Sequence, residues 1–298
     1  VTLDASYAFC ERIARTHYEN FPVASRLLPA RMRPHVAAIY AFARLADDIA
    51  DEGDAAVAVR NIRLDEWVAR LHGAMSSAAP PSGPSTLTPE MAAQAQPIFE
   101  AVANTVRVCE LPTGLLEDLV SAFRQDVTVK RYASWEALFD YCRRSANPVG
   151  RLVLRIGGWR DTELDAASDA VCTALQLTNF WQDLAIDWSR GRLYVPAEAH
   201  EPARAELDAL DRREWTDEWQ QALCSCAART RALFDRGRAV CDGVTGRLRF
   251  ELRATWLGGV RVLDRLEASR FDVFRARPSL GAGDLPSIAW RAFWWSAR

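Results

Sequence analysis

Gln176-Leu-Thr-Asn-Phe-Trp-Gln-Asp-Leu-Ala-Ile-Asp-Trp-Ser-Arg-Gly-Arg-Leu-Tyr194 decides how this chain is read. As a helix turning about 100° per residue, the stretch places Gln176, Asn179, Asp183 and Asp187 in one narrow stripe. Leu175, Leu177 and Leu184 fall elsewhere on the surface and can bury. Two carboxylates and two carboxamides in so apolar a segment are costly to bury unless something neutralises them. A divalent cation does so with oxygen ligands one turn apart, the chemistry that hard ions such as magnesium prefer. Arg190, Gly191 and Arg192 then close the segment with cations beyond the helix end, suited to gripping an anion. Taken alone, an Asp-x-x-x-Asp pair is more often a solvated acidic face.

A second copy of the pattern changes that balance. In Tyr40-Ala-Phe-Ala-Arg-Leu-Ala-Asp-Asp-Ile-Ala-Asp51, helical spacing puts Tyr40, Arg44, Asp47 and Asp51 on one stripe, with Asp48 at its edge. The rest of that segment is apolar: Val36, Ala37, Ile39, Phe42, Leu45 and Ile49. Two like-charged faces approach across a dry core only with cations between them. The simplest construction is a pair of facing helices that hold magnesium ions, which in turn hold a diphosphate.

Composition narrows the alternatives. The 298 residues are enough for a large core and allow one domain or two. A net charge of −2 offers no basic field, so no nucleic-acid partner is expected. Lys130 is the only lysine, a bias we ascribe to GC-rich coding. Seven scattered cysteines, odd in number and without zinc-like spacing, fit buried apolar roles in a reducing, cytoplasmic setting. No signal-peptide pattern opens the chain, and no uncharged apolar run is long enough to span a bilayer. Gly157-Gly158 and Gly258-Gly259 lack the spacing of a dinucleotide fingerprint, so NADPH is not expected.

Helical periodicity runs through almost the whole chain. It predicts helices over Asp4–Glu19, Met32–Glu52, Ala55–His72, Glu90–Cys109, Thr113–Asp126, Trp135–Gly157, Asp161–Trp188, Ala203–Asp211, Thr216–Cys241 and Arg247–Arg270. Pro22 should end the first, Gly53 should stop the second, and Pro148 should kink the long one. With no period-two alternation, the fold class is all-α, a single helical bundle around a central cavity. Residues 76–89, rich in Pro and Ser, read as a surface loop inside one domain spanning 1–298, because the acidic motifs flanking it need each other. Asp126 reads as a solvated residue at a helix end, or else as an acid supporting the site. The aromatic, cationic end from Leu285 to Arg298 either lies at a membrane interface or covers the core.

These motifs resemble the two aspartate-rich signatures of the squalene/phytoene synthase family. The likeness covers His17–Asp54, Asp126–Gly150, Gln176–Pro196 and Glu251–Pro278. Three spellings are similar to the hopanoid-pathway branch of that family: Tyr18-Glu-Asn-Phe-Pro-Val, Tyr141-Cys-Arg-Arg-Ser-Ala-Asn-Pro-Val-Gly and Asn179-Phe-Trp-Gln-Asp. The resemblance implies the isoprenoid synthase fold. It implies a metal set of Asp47, Asp51, Asn179, Asp183 and Asp187 holding magnesium, about three ions with a bound diphosphate. It further implies that Tyr40, Arg44 and Gln176 meet the diphosphate and substrate; by their place just beyond the second motif, Arg192 and Tyr194 are read as further aids to the leaving diphosphate. Where the family uses two serines, this chain has Tyr18 and Asn20, so that role is not carried over; His17 is either a phosphate donor or a polar helix-end residue.

The chemistry then follows from the residue types. Ionising a diphosphate leaves a carbocation, which aromatic faces stabilise; Phe21, Tyr40, Tyr141 and Phe180 are candidates, and Trp181 is assigned to packing. Gln182 stands where squalene and phytoene synthases usually carry arginine, and Ile186 where they often carry glutamate. Gln182 can still donate a hydrogen bond, but without charge. Ser145 and Asn147 replace small or aliphatic residues, and they either position a water or, for Asn147, cap the break at Pro148. The reaction that the resemblance implies takes presqualene diphosphate through ionisation, rearrangement and water capture. The alternatives are head-to-head condensation of two prenyl diphosphates, or a non-catalytic lipid-binding or assembly factor. Peripheral contact with the inner membrane face is a further expectation.

Overall fold

The computed structural model describes residues 2–16, 27–76 and 85–295. Among them are fourteen α-helices: α1 (Leu3–Thr16), α2 (Arg33–Asp51), α3 (Val57–Ser76), α4 (Pro89–Cys109), α5 (Gly114–Thr128), α6 (Trp135–Ser145), α7 (Asn147–Gly157), α8 (Thr162–Ser189), α9 (Ala197–His200), α10 (Leu207–Asp211), α11 (Asp217–Gly237), α12 (Val240–Gly243), α13 (Gly246–Ala268) and α14 (Leu285–Phe293). No strand occurs among the described residues; Arg131 and Leu193 form an isolated parallel bridge. The all-α reading is therefore what the structure shows. The chain divides into two compact units, Val1–Thr128 with Arg151–Arg160, and Val129–Gly150 with Asp161–Arg298.

In the first unit, α2 packs against α1, α3, α4 and α5. Its helix starts at a proline in the first turn, where the missing N–H costs nothing and φ is already set. It stops where Glu52 N–H returns to Asp48 O at 2.9 Å and Gly53 takes φ +73°. Val36, Ile39, Phe42, Leu45 and Ile49 are buried, and Phe42, Trp67 and Phe99 form an aromatic triad with centroids 4.5–5.9 Å apart. Each such ring contributes about 2–3 kcal/mol by leaving water. A polar thread joins α1, α2 and α4: Tyr7 Oη lies 3.1 Å from His35 Nδ1 and 2.9 Å from Thr105 Oγ1.

In the second unit, α8 packs against α6, α11, α12 and α13. Asp161 caps it by accepting from Glu163 N and Leu164 N at 2.8 and 2.9 Å. Two glycines allow the close packing. A Cβ at Gly237 would lie 2.7 Å from Ala167 O, and one at Gly259 would lie 2.5 Å from Leu175 Cδ2. Trp181 is fully buried and donates to Thr230 Oγ1 at 2.9 Å, as its assignment to packing required.

Three expected helices differ from the sequence reading. Trp135–Gly157 breaks outright at Ala146 rather than kinking, so Pro148 falls in the first turn of α7, where its missing N–H is tolerated. Thr216–Cys241 breaks after Gly237, and Ala203–Asp211 shrinks to α10. The first helix is described only as far as Thr16.

Candidate active site

In the first unit, the apolar face of α2 fixes the rotation of the helix and so carries Tyr40, Arg44, Asp47 and Asp51 on one side. Arg44 reaches Asp48 at 2.7 Å, Glu52 at 3.2 Å and Asp47 at 3.8 Å. From α5, Asp126 joins them at only 6 % exposure, so it is not the solvated helix-end residue that its position in the sequence favoured. The Asp47 carboxyl is pushed up to about 7, first by burial and then by Asp51, Asp126 and Asp48, with Arg44 opposing. Because 39 % of its side-chain surface stays open, solvent tempers that rise. Its direction still marks an excess of negative charge, which a bound cation would relieve.

The C-terminal carbonyls of α2 also have a partner that sequence reading missed. Arg60 on α3 donates to Ala50 O at 2.6 Å, to Gly53 O at 2.5 Å and to Ala55 O at 2.9 Å. A guanidinium at a helix C-terminus satisfies orphan acceptors and suits the dipole, and here it fixes the turn that carries Asp51.

In the second unit, α8 presents Gln176, Asn179, Asp183 and Asp187, all half-buried. The chain then turns back on itself. Arg192 N–H returns to Asp187 O at 2.8 Å, Gly191 takes φ +75°, and Leu193 N–H bonds Lys130 O at 3.0 Å. Asp183 is gripped by Arg277 through Nε to Oδ1 and through Nη2 to Oδ2 at 3.1 Å. Beside it, Gln182 donates to the carbonyl of Pro278. Gln182, expected toward substrate, thus commits its amide to the segment that delivers Arg277. Arg277 went unnoticed in the sequence, although it lies within the Glu251–Pro278 stretch of likeness.

The aromatic candidates of this unit come together. Phe180 and Tyr194 stack with centroids 3.8 Å apart, and Tyr141 lies 6.2 and 6.1 Å from them. Tyr132, not anticipated, completes the group at 5.7 Å from Tyr141. All four are buried. One turn beyond Tyr141, the Ser145 hydroxyl is buried with no hydrogen-bond partner among the described residues. Asn147 is buried and accepts from Thr173 Oγ1 at 2.9 Å, bordering a groove of about 930 Å³ that Phe139 and Arg229 also line. Its carbonyl oxygen is spent on Thr173 rather than on the helix break. His17 and Phe21 lie outside the described residues.

These donors fit magnesium. They are oxygens on the faces of two helices, and around Asp47 they sit in excess negative charge. Among the described residues, no three carboxylates, histidines or thiolates converge on a point within either unit. Magnesium asks for less: one or two carboxylates, with waters and substrate phosphates completing the octahedron.

An all-helical fold carrying two aspartate-rich helices defines an isoprenoid synthase, and this chain belongs to the squalene/phytoene synthase family, which matches residues 14–284. It is an enzyme of that family, whose members act on prenyl diphosphates with a divalent metal. The chain is 38 % identical over 221 residues to the hydroxysqualene synthase of Zymomonas mobilis, covering 73 % of this chain and 68 % of that one. It is 35 % identical to the hydroxysqualene synthase of Sinorhizobium fredii over 78 % of this chain and 74 % of that one. The crystal structure of squalene synthase HpnC from Alicyclobacillus acidocaldarius superposes with a TM-score of 0.80 at 37 % identity, over 90 % of this chain and 95 % of the other.

Proposed function

We propose that the protein converts presqualene diphosphate to hydroxysqualene, and that both units belong to one domain whose acidic helices serve a single diphosphate. The C–O bond to diphosphate breaks and the leaving group takes the electron pair. The cyclopropylcarbinyl cation rearranges, water adds its oxygen to the resulting carbon, and the surplus proton leaves to solvent or diphosphate. Magnesium, about three ions with the diphosphate, supplies Lewis-acid stabilisation of the leaving group when bound. Asp47, Asp51, Asn179, Asp183 and Asp187 would hold it. Arg44, Arg192 and Gln176 hold the diphosphate, with Tyr40 beside them. Tyr141, Phe180 and Tyr194 offer aromatic faces to the cation, about 0.5–2 kcal/mol each, and exclude bulk water.

The observation that carries water capture, rather than condensation or elimination, is Ser145. A buried hydroxyl without a partner costs about 1–3 kcal/mol, a cost that an ordered water one turn from the aromatic group would remove. The likeness to two hydroxysqualene synthases supports the same reading. A second reading, condensation of two prenyl diphosphates, draws on the squalene synthase of Alicyclobacillus acidocaldarius. Incubation with magnesium and either presqualene diphosphate or farnesyl diphosphate alone separates the two. Hydroxysqualene and diphosphate from the first substrate support our reading, whereas turnover of farnesyl diphosphate alone would transfer it to the condensing class.

A further inference from the structure

The helix α14, Leu285-Pro-Ser-Ile-Ala-Trp-Arg-Ala-Phe, is turned the wrong way round for a core helix. At about 100° per residue, Leu285, Ala289, Phe293, Pro286, Trp290 and Trp294 sweep out one continuous apolar arc of about half the circumference. That arc faces outward: Leu285 is 60 %, Trp290 66 %, Phe293 64 % and Trp294 62 % exposed. Only Ala292 is buried and Ile288 half-buried, on the side that packs against α13. An amphipathic helix in a finished core shows the opposite arrangement, and clustered exposed aromatics mark a surface that meets something else.

The chemistry of the rim indicates what it meets. A cleft of about 280 Å³ lies beside the arc among Trp256, Trp290, Trp294 and Trp295, and it is also lined by Arg238 and Arg291. Arg238 sits 4.4 Å over the Trp295 ring. From Leu285 to Trp295 there is no carboxylate, and the neighbouring Asp242 is already held by Arg253 at 2.9 Å. Outward indole rings beside arginines are the composition of a helix lying in a bilayer interface, with rings at headgroup depth and cations toward anionic phosphates. No helix among the described residues is long and apolar enough to cross a membrane, so the contact is a surface one.

We propose that α14 and the adjoining arginine-lined cleft form a docking surface for an anionic lipid bilayer. This surface is independent of the reaction proposed above. It is tested by flotation of the purified chain with vesicles of phosphatidylethanolamine containing phosphatidylglycerol, and with phosphatidylcholine vesicles, while following tryptophan emission. The chain should float with the anionic vesicles, more weakly in high salt and on phosphatidylcholine, with a blue-shifted emission. Trp290→Ala/Phe293→Ala/Trp294→Ala should weaken partitioning by about tenfold or more, and Arg291→Glu should weaken it chiefly on anionic vesicles. Both variants should turn over detergent-dispersed substrate like the parent, so loss of binding is distinguishable from failure of the assigned reaction. Absence of flotation, or flotation unchanged in the triple variant, would overturn the proposal. So would a dimer in sedimentation that the triple variant converts to monomer, which would give the face to a second copy of the chain.

Discussion

Asp183 and Ser145 carry the sharpest expectations about single residues. Asp47→Asn and Asp183→Asn should each cut diphosphate release by more than about 100-fold, because each removes a charged ligand from a hard cation. Circular dichroism should stay unchanged, since both side chains are partly open. Activity retained in either variant would falsify the metal assignment. Ser145→Ala should spare diphosphate release within about threefold but shift products from alcohol toward hydrocarbon, read by chromatography of the lipid extract. An unchanged product ratio removes Ser145 from the water site. At this scale the sequence spelled out the ligand types because helical spacing alone aligns residues one turn apart. It was silent on Arg277, whose pairing with Asp183 joins positions 94 residues apart that no local pattern connects.

The helix ends hold the second set of expectations. Arg60→Ala should destabilise the chain by about 1–2 kcal/mol in urea unfolding, because it leaves the last carbonyls of α2 without their donor. It should also lower magnesium affinity through the displaced Asp51. Glu66 on α3 is the better pH probe. Burial alone would raise its carboxyl, but hydrogen bonds from Thr86, Ser85 and Arg70 hold it down to about 2. A depressed carboxylate contributes stability that is present above the unfolded value of about 4.5 and lost as pH falls toward 2. Glu66→Gln should therefore cost roughly 1–3 kcal/mol at pH 7, and the gap should narrow in unfolding curves taken near pH 3 and vanish only as pH falls through about 2. A constant gap would assign Glu66 to packing alone. Helix existence was legible from apolar periodicity, and so was a disturbance at Pro148, whose chemistry is local, although it is a full break at Ala146 rather than the expected kink. The break after Gly237 was not; it falls where α11 comes closest to the α8 backbone, an approach visible only once both are packed.

For the whole molecule, ligand linkage is the test. If one diphosphate engages the carboxylates of both units, magnesium with inorganic diphosphate should raise Tm by about 4 °C at hundredfold excess over Kd. EDTA should reverse the rise, and magnesium or diphosphate alone should give far less. A separate melting transition for each unit that shifts independently would count against a single domain. The sequence by itself determined the fold class, the two acidic stripes and the family, since helical period and ligand spacing are properties of neighbouring residues along the chain. Only the tertiary structure decided which side chains the stripes meet: Asp126 buried beside Asp47, Tyr132 joining the aromatic group, Arg277 on Asp183, and the apolar arc of α14 turned outward. Those contacts depend on how separate helices rotate and pack to bury their own apolar faces, and that rotation is set by the whole core rather than by any one segment.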